Sequence, residues 1–165
     1  MDHDHAPALT FLLFGAPLVV LAIALVDIAA SRGSHVARAT MLRIETSSVS
    51  TQAVALCLLI AGLIHLGLVP GHADERLLAA SFVVAGIAFI GVGAAVFTSL
   101  PWRTPAAIVL ISVLAAYALT RAVGYEAIDA LGVAACAVEL LALALLWLPA
   151  RSSRARSRAY ASPSR

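Results

Sequence analysis

The chain has 165 residues, of which 62% are hydrophobic and only 12% are charged, whereas soluble domains average roughly half and a quarter. A soluble fold of this length has too little interior to bury so many apolar side chains, so the composition excludes an ordinary soluble domain. The formal net charge of +2 excludes little, because the charges are segregated along the chain rather than spread over it.

Apolar runs long enough to cross a bilayer occur five times in chain order. A hydrocarbon core about 30 Å thick needs about 20 apolar residues in a helix. We therefore predict an all-α integral membrane protein, an antiparallel bundle of five transmembrane helices within residues 8–149. The predicted spans are residues 8–30, 50–69, 77–100, 105–123 and 127–148.

The ends and connections of these spans carry recognisable signals. Pro70 and Gly71 end the second span, and Thr104 is expected to cap the fourth, with Pro105 at its first position. The polar segment between the first two spans leaves one alternative open, because residues 34–45 can form a helix on the inner membrane surface although their apolar residues do not share one clean face. The third span contains Gly86, Gly91 and Gly93, small residues that allow close packing of helices in lipid.

Orientation follows from the arginines, because basic flanks are retained on the cytoplasmic side. With residues 1–7 outside and residues 150–165 forming a disordered, arginine-rich cytoplasmic tail, only Arg76 and Arg121 lie outside. The expected location is the cell membrane, as a multi-pass protein, with the lipid bilayer as its surroundings. The arginines then placed inside are Arg32, Arg38, Arg43, Arg103, Arg151, Arg154, Arg156, Arg158 and Arg165.

Glu139 is the most unusual residue within a predicted span. It lies about eleven positions into the fifth span, hence roughly 16 Å deep at 1.5 Å per residue, where a carboxylate costs on the order of 3 kcal/mol. We expect it to face the bundle interior, either as a functional proton carrier or as a neutral hydrogen-bonding group that joins helices.

Asp27, one turn from the cytoplasmic end of its run, is interpreted as a boundary residue, and Arg121 as a side chain reaching the outer surface beside Glu126 and Asp129.

Four histidines fall on or near the outer face in this topology, namely His3, His5, His65 and His72. A histidine third from a free amine can enclose Cu(II) or Ni(II) in square-planar geometry. The helix end and turn carrying His65 and His72, followed by Asp74 and Glu75, can supply a mixed ligand set for Zn or Cu. The alternative is that His65 hydrogen-bonds across the bundle and His72 is a solvated loop residue.

The stretch from Leu63 to His72 resembles uncharacterised multi-span membrane proteins of actinobacteria that carry a His-x6-His motif with a proline before the second histidine. The resemblance covers about residues 55–97. Those relatives often have glutamate directly before the second histidine, where this chain has Gly71. The resemblance implies histidines at the outer face but no particular activity.

Two cysteines within predicted spans suggest a further arrangement. Cys57 and His65 share a face of the second span, and Cys136 and Glu139 share a face of the fifth. If these faces met, they would line a path for a soft metal ion, whereas buried cysteines are more often small apolar filler.

The function expected from these residues is binding or handling of a divalent metal, with copper favoured over zinc, at the extracytoplasmic face. One alternative is a structural or assembly subunit of a larger membrane complex, with a membrane-protein partner or a second copy of itself. A second alternative is a small proton-coupled transporter that uses Glu139. The sequence has no catalytic motif and no nucleic-acid-binding pattern, so neither an enzyme nor a nucleic-acid partner is expected.

Overall fold

The structure is a computed structural model that describes residues 6–124 and 130–148, and every regular element within these two ranges is a helix. Six α-helices and one short 3-10 turn account for nearly all of this part, and it contains no strand. The helices are α1 Ala6–Ser31, α2 His35–Thr46, α3 Val49–Leu68, α4 Arg76–Ala95, α5 Arg103–Ala122 and α6 Ala130–Trp147, with the 3-10 turn at Pro70–His72.

Three helical segments are long and apolar enough to cross a membrane, namely Val49–His72, Arg76–Ala95 and Arg103–Ala122. Val19–Ser31, within α1, and Leu131–Trp147, within α6, are shorter apolar segments. Large aliphatic side chains are exposed on the outside of the bundle, among them Leu77, Val84 and Ile108. Such a surface is unfavourable in water and favourable against acyl chains. The all-helical fold is therefore confirmed, and three of its helices are long and apolar enough to cross a membrane.

The polar segment after α1 forms a helix of its own, α2, as one alternative for residues 34–45 proposed, while its place on the inner membrane surface stays a prediction. Ser34 caps it by accepting a hydrogen bond from the Ala37 backbone N–H at 3.3 Å, and the Arg38 Nε–H donates to the Ala30 carbonyl at 3.0 Å. That second bond adds a donor to a carbonyl at the end of α1 that also accepts from the Gly33 N–H at 3.1 Å. The helix packs against α1.

The third helix is the centre of the structure. It packs against α1, α4 and α6, while α5 bridges α4 and α6 and closes a ring of four helices. A core of fully buried side chains fills the ring, contributed by Leu58 of α3, Phe89 of α4, Leu110 of α5 and Ala142 of α6. All four helices of the ring therefore depend on one another for burial.

Helices α3 and α4 are in backbone contact at two glycines. A Cβ atom added at Gly62 would lie 2.9 Å from the Gly86 carbonyl oxygen and 2.7 Å from Cγ1 of Ile90, and one added at Gly86 would lie 2.7 Å from Cγ of Leu66. Gly91 has open space around the corresponding position. Close packing through small residues, predicted for the third span, is therefore made by Gly86 but not by Gly91.

Two predicted boundaries are wrong. The third span was expected to reach residue 100, but α4 ends at Ala95. There the Thr98 hydroxyl donates to the Ala95 carbonyl at 2.8 Å and accepts from the Leu100 N–H at 3.2 Å, local bonds that replace helical ones.

Thr104 does not cap the fourth span. The helix α5 begins at Arg103, after an N-terminal residue, Trp102, that makes no side-chain capping bond. Pro105 is still accommodated, because backbone N–H groups in the first turn have no intrahelical acceptor and proline lacks only that donor.

Candidate functional site

The most unusual contact in the bundle joins two ionisable side chains from α3 and α6. His65 Nε2 and Glu139 Oε1 lie 3.6 Å apart, and the two residues are only 5% and 1% exposed. The distance exceeds an ordinary N–H···O hydrogen bond but is short for two groups that can carry charge in a low-dielectric interior. We call this contact the His65–Glu139 pair.

The second ring nitrogen of His65 determines which protons the pair can hold. Nδ1 lies 2.8 Å from the Ala61 backbone carbonyl, and because a carbonyl oxygen only accepts, Nδ1 carries a hydrogen in this arrangement. Nε2 is then the nitrogen available to Glu139. One proton shared between Nε2 and the carboxyl group leaves the pair uncharged, either as imidazole with carboxylic acid or as imidazolium with carboxylate.

Glu139 has little other polar support. Within the part of the chain that the structure describes, its Oε1 atom is buried and has no hydrogen-bond partner. An ionised carboxylate in such a place is costly unless a positive charge stands next to it. Glu139 therefore depends on His65 whenever it is ionised.

Apolar groups enclose the pair. The fully buried Phe89 ring lies 5.3 Å from the His65 ring, centroid to centroid. Ile64, Leu131 and Ala135 form a buried cluster where α3 and α6 meet. The surroundings thus exclude water and strengthen any electrostatic interaction within the pair.

His72, at the end of the 3-10 turn, is buried at 7% exposure. Its Nδ1 lies 2.9 Å from the Leu68 carbonyl, and its ring meets the Phe82 ring edge-on with centroids 4.9 Å apart. The alternative interpretation of His72 as a solvated loop residue is therefore wrong, because the turn folds the ring back against α4.

The structure describes only part of the expected metal ligands. His3 and His5 lie outside the described residues. Asp74 is exposed and Glu75 is partly buried, and no group of three or more histidine, cysteine, aspartate or glutamate side chains comes together within residues 6–124 and 130–148. A metal at the outer face stays a prediction.

Within the described residues neither cysteine is part of a disulfide, and their surroundings differ. Cys57 is buried in the apolar core cluster with Leu58 and Phe89, which is the filler role that the sequence left as an alternative. Cys136 is partly buried on α6. The contact between α3 and α6 thus brings the His65 imidazole to the Glu139 carboxyl group. Cys57 is not part of this contact, because it lies two helical turns from His65.

The remaining polar residues lie near the ends of the helices. The Arg121 guanidinium stacks on the Tyr117 ring at 4.6 Å, and its Nη2 atom would lie 3.3 Å from a Cβ added at Gly132 of α6. Glu126 and Asp129, its expected neighbours, lie outside the described residues. Asp27 is exposed on α1, in agreement with a boundary position.

Sequence reasoning did not single out Phe82, Phe89 or Gly62. A signal was present, because Phe82 and Phe89 are seven residues apart on α4, as His65 and His72 are along α3 and the turn after it. A seven-residue interval is about two helical turns and puts both members on one face.

Comparisons of the chain with protein-family models, with curated proteins and with solved structures find no match.

Proposed function

We propose that this chain is a small proton-coupled membrane transporter in which the His65–Glu139 pair carries the exchanged proton. The observation that supports this is the burial of the pair, at 3.6 Å, among apolar side chains. Ionisable residues in the middle of a membrane helix are costly and commonly mark proton or ion pathways. The alternative is a purely structural role, in which the pair only holds α3 and α6 together.

The proposal includes the predicted topology of five antiparallel spans, with the N-terminus outside and the C-terminus in the cytoplasm. Its support is the distribution of arginines and a match in depth between α3 and α6. His65 lies seven residues before His72, about 10 Å along the axis, and Glu139 lies nine residues after Ala130, about 14 Å at 1.5 Å per residue. In antiparallel helices that start from the same surface, these two depths put the residues within about 4 Å of each other along the axis, a gap that the two side chains can span.

The charge of the pair suggests what is exchanged. With one shared proton the pair is neutral, and loss of that proton leaves a net charge of −1 in an apolar interior. That state is stable only if a cation takes the place of the proton. We therefore propose exchange of a proton for a cation.

Proteoliposomes that contain a trapped pH-sensitive dye and an acid interior test the proposal. Na⁺, K⁺, Zn²⁺ or Cu²⁺ is added outside, and one of these is expected to drive alkalinisation of the interior. Glu139→Gln removes the titratable group with little change of shape, so the response should be lost. Asp27→Asn, the same chemical change at an exposed carboxylate, is the matched control and should retain it.

Two outcomes contradict this function. One is a cation response that is as large in Glu139→Gln as in the unaltered protein. The other is the absence of any response to all four cations while the protein is correctly folded in the vesicles, which favours the structural alternative.

A second candidate is the binding of a divalent metal, copper before zinc, at the extracytoplasmic face by His3, His5, His65 and His72. One observation favours it: Nδ1 of His65 and Nδ1 of His72 each contact a backbone carbonyl, which is how ligating histidines are commonly oriented so that Nε2 serves the metal. Metal analysis of the purified protein tests it. Stoichiometric copper that is lost in His65→Ala and His72→Ala supports this candidate, and a metal-free protein of unchanged stability removes it.

A further inference from the structure

We propose that the end of the bundle that carries α2 binds anionic phospholipid headgroups. The binding groups are four arginines that we call the arginine surface, namely Arg32, Arg38, Arg43 and Arg103. This surface is not part of the His65–Glu139 pair, so lipid binding is independent of proton exchange and of which compartment this end faces.

Ends of four helices meet at this end of the bundle. One buried core cluster contains a residue from each of them, namely Val54 near the start of α3, Val96 just after α4, Ala106 near the start of α5 and Leu146 near the end of α6. Trp102, the residue before Arg103, packs against the same cluster. The α2 helix lies at this end too, because the Gln52 side chain of α3 donates to the Ile44 carbonyl at 2.7 Å.

The charge at this end is unbalanced among the described residues. Four arginines occur there with only two carboxylates, Asp27 and Glu45. The opposite end has equal numbers of the two kinds among the described residues, namely Arg76 and Arg121 with Asp74 and Glu75. The arginine surface therefore has an excess of positive charge, which attracts anionic headgroups.

Two contacts hold guanidinium groups of this surface in place. Arg38 donates from Nε to the Ala30 carbonyl at 3.0 Å, and this bond leaves the Nη groups of the exposed side chain for another acceptor. Arg103 is also exposed, and its Cζ atom lies 5.5 Å from the centroid of the Trp102 ring. Guanidinium groups held in this way are suited to phosphate, because their planar fork can bind two phosphate oxygens at once.

Apolar and aromatic side chains beside the arginines favour a lipid over free phosphate. Val36 and Leu42 of α2 and Leu100 before α5 are exposed. Both tryptophans of the chain, Trp102 and Trp147, lie at this end, and Trp147 is exposed at the last position of α6. Tryptophan is enriched where acyl chains meet headgroups, and basic groups with apolar neighbours bind that boundary through both charge and burial of apolar area.

Quenching of tryptophan fluorescence by brominated lipid tests the binding on the full chain in mild detergent. Because both tryptophans lie at this end, phosphatidylglycerol brominated along its acyl chains should quench them at a lower concentration than brominated phosphatidylcholine does. Added NaCl should weaken this preference, since salt screens interactions between exposed charges.

Substitutions locate the site. Arg32→Gln and Arg38→Gln should each raise the phosphatidylglycerol concentration for half-maximal quenching about fivefold, which corresponds to about 1 kcal/mol for one arginine near an anionic surface. Arg76→Gln, the same change at an exposed arginine of the opposite end, is the matched control and should leave this concentration unchanged. The arginines of residues 150–165 are present in every variant, so any lipid that they bind contributes equally. If Arg38→Gln does not fold because the bond to Ala30 is lost, Arg32→Gln at an exposed side chain decides.

Equal quenching by the two lipids overturns the proposal, and so does an equal shift in Arg76→Gln and Arg32→Gln. Displacement of phosphatidylglycerol by inorganic phosphate, beyond the effect of NaCl at the same ionic strength, identifies a site for free phosphate and also overturns it. The cation response and its loss in Glu139→Gln are measured separately, so failure of lipid binding is distinguishable from failure of the proposed function.

Discussion

His65 and Glu139 are near neighbours, with Nε2 and Oε1 3.6 Å apart, although they belong to α3 and α6, which are separated by two other helices of the chain. The contact joins the two helices at a level where neither has another acidic or basic side chain. A pair of this kind contributes to stability only while both members are present. Glu139 alone is a buried acid whose Oε1 has no hydrogen-bond partner among the described residues, and His65 alone keeps only the bond from Nδ1 to the Ala61 carbonyl.

The first prediction is that the stability of the bundle depends on the pair as a unit. His65→Ala should lower the free energy of unfolding by about 3 kcal/mol, since it leaves Glu139 buried and unpaired. Glu139→Gln should cost only about 1 kcal/mol, because the amide can still donate to Nε2.

Unfolding in mild detergent, followed by circular dichroism, measures both changes. In the double variant the loss should be smaller than the sum of the two single losses. Strict additivity would mean that the two side chains do not interact.

The second prediction concerns the glycine contact between α3 and α4. Gly62→Ala should destabilise the bundle by about 1–3 kcal/mol, a typical cost of overpacking, because the new methyl group would meet the Gly86 carbonyl oxygen at 2.9 Å. Gly91→Ala, with nothing within 4 Å of the added atom, is the control and should be neutral or slightly stabilising. Equal midpoints of thermal unfolding for the two variants would contradict this close approach of the backbones.

The third prediction concerns Phe89, whose ring lies 5.3 Å from the His65 ring, centroid to centroid. Phe89→Ala should lower the free energy of unfolding by about 3–5 kcal/mol, since it opens a cavity at a fully buried position. Leu77→Ala, at a side chain that is 88% exposed, should change it by less than about 0.5 kcal/mol. Denaturant titration of both variants in the same detergent provides the comparison, and a small loss at Phe89 would place its ring outside the core.

The fourth prediction tests the proposed topology. Reporter domains that are active on only one side of the membrane, fused in turn before residue 6 and after residue 148, should report opposite sides, because five crossings put the two ends in different compartments. Fusion within the segment between Ala95 and Arg103 should report the cytoplasm, as its arginine favours that side. Both ends on one side would exclude an odd number of spans.

Much of the helical architecture was predictable from local sequence. The second span was predicted as residues 50–69, and α3 is Val49–Leu68, one residue different at each end. The prediction is this close because the apolar run ends at Pro70-Gly71, and such breaks act within a turn of the chain. The end of α4 was predicted wrongly for an equally local reason. The Thr98 hydroxyl donates to the Ala95 carbonyl, and a prediction based on the number of adjacent apolar residues takes no account of such a hydrogen bond.

The apolar character of the chain and the lengths of its helices were determined by the sequence itself, since burial in lipid depends on how many adjacent residues are hydrophobic and not on their neighbours in space. The tertiary structure decided which residues meet: that Glu139 faces His65 rather than Cys57, that His72 is covered by Phe82, and that Gly62 rather than Gly91 carries a helix contact. Helices that are apolar on every side have no amphipathic pattern to indicate their rotation. Only the packing of side chains between α3, α4 and α6 selects the rotation of each helix, and with it the partner of each polar group.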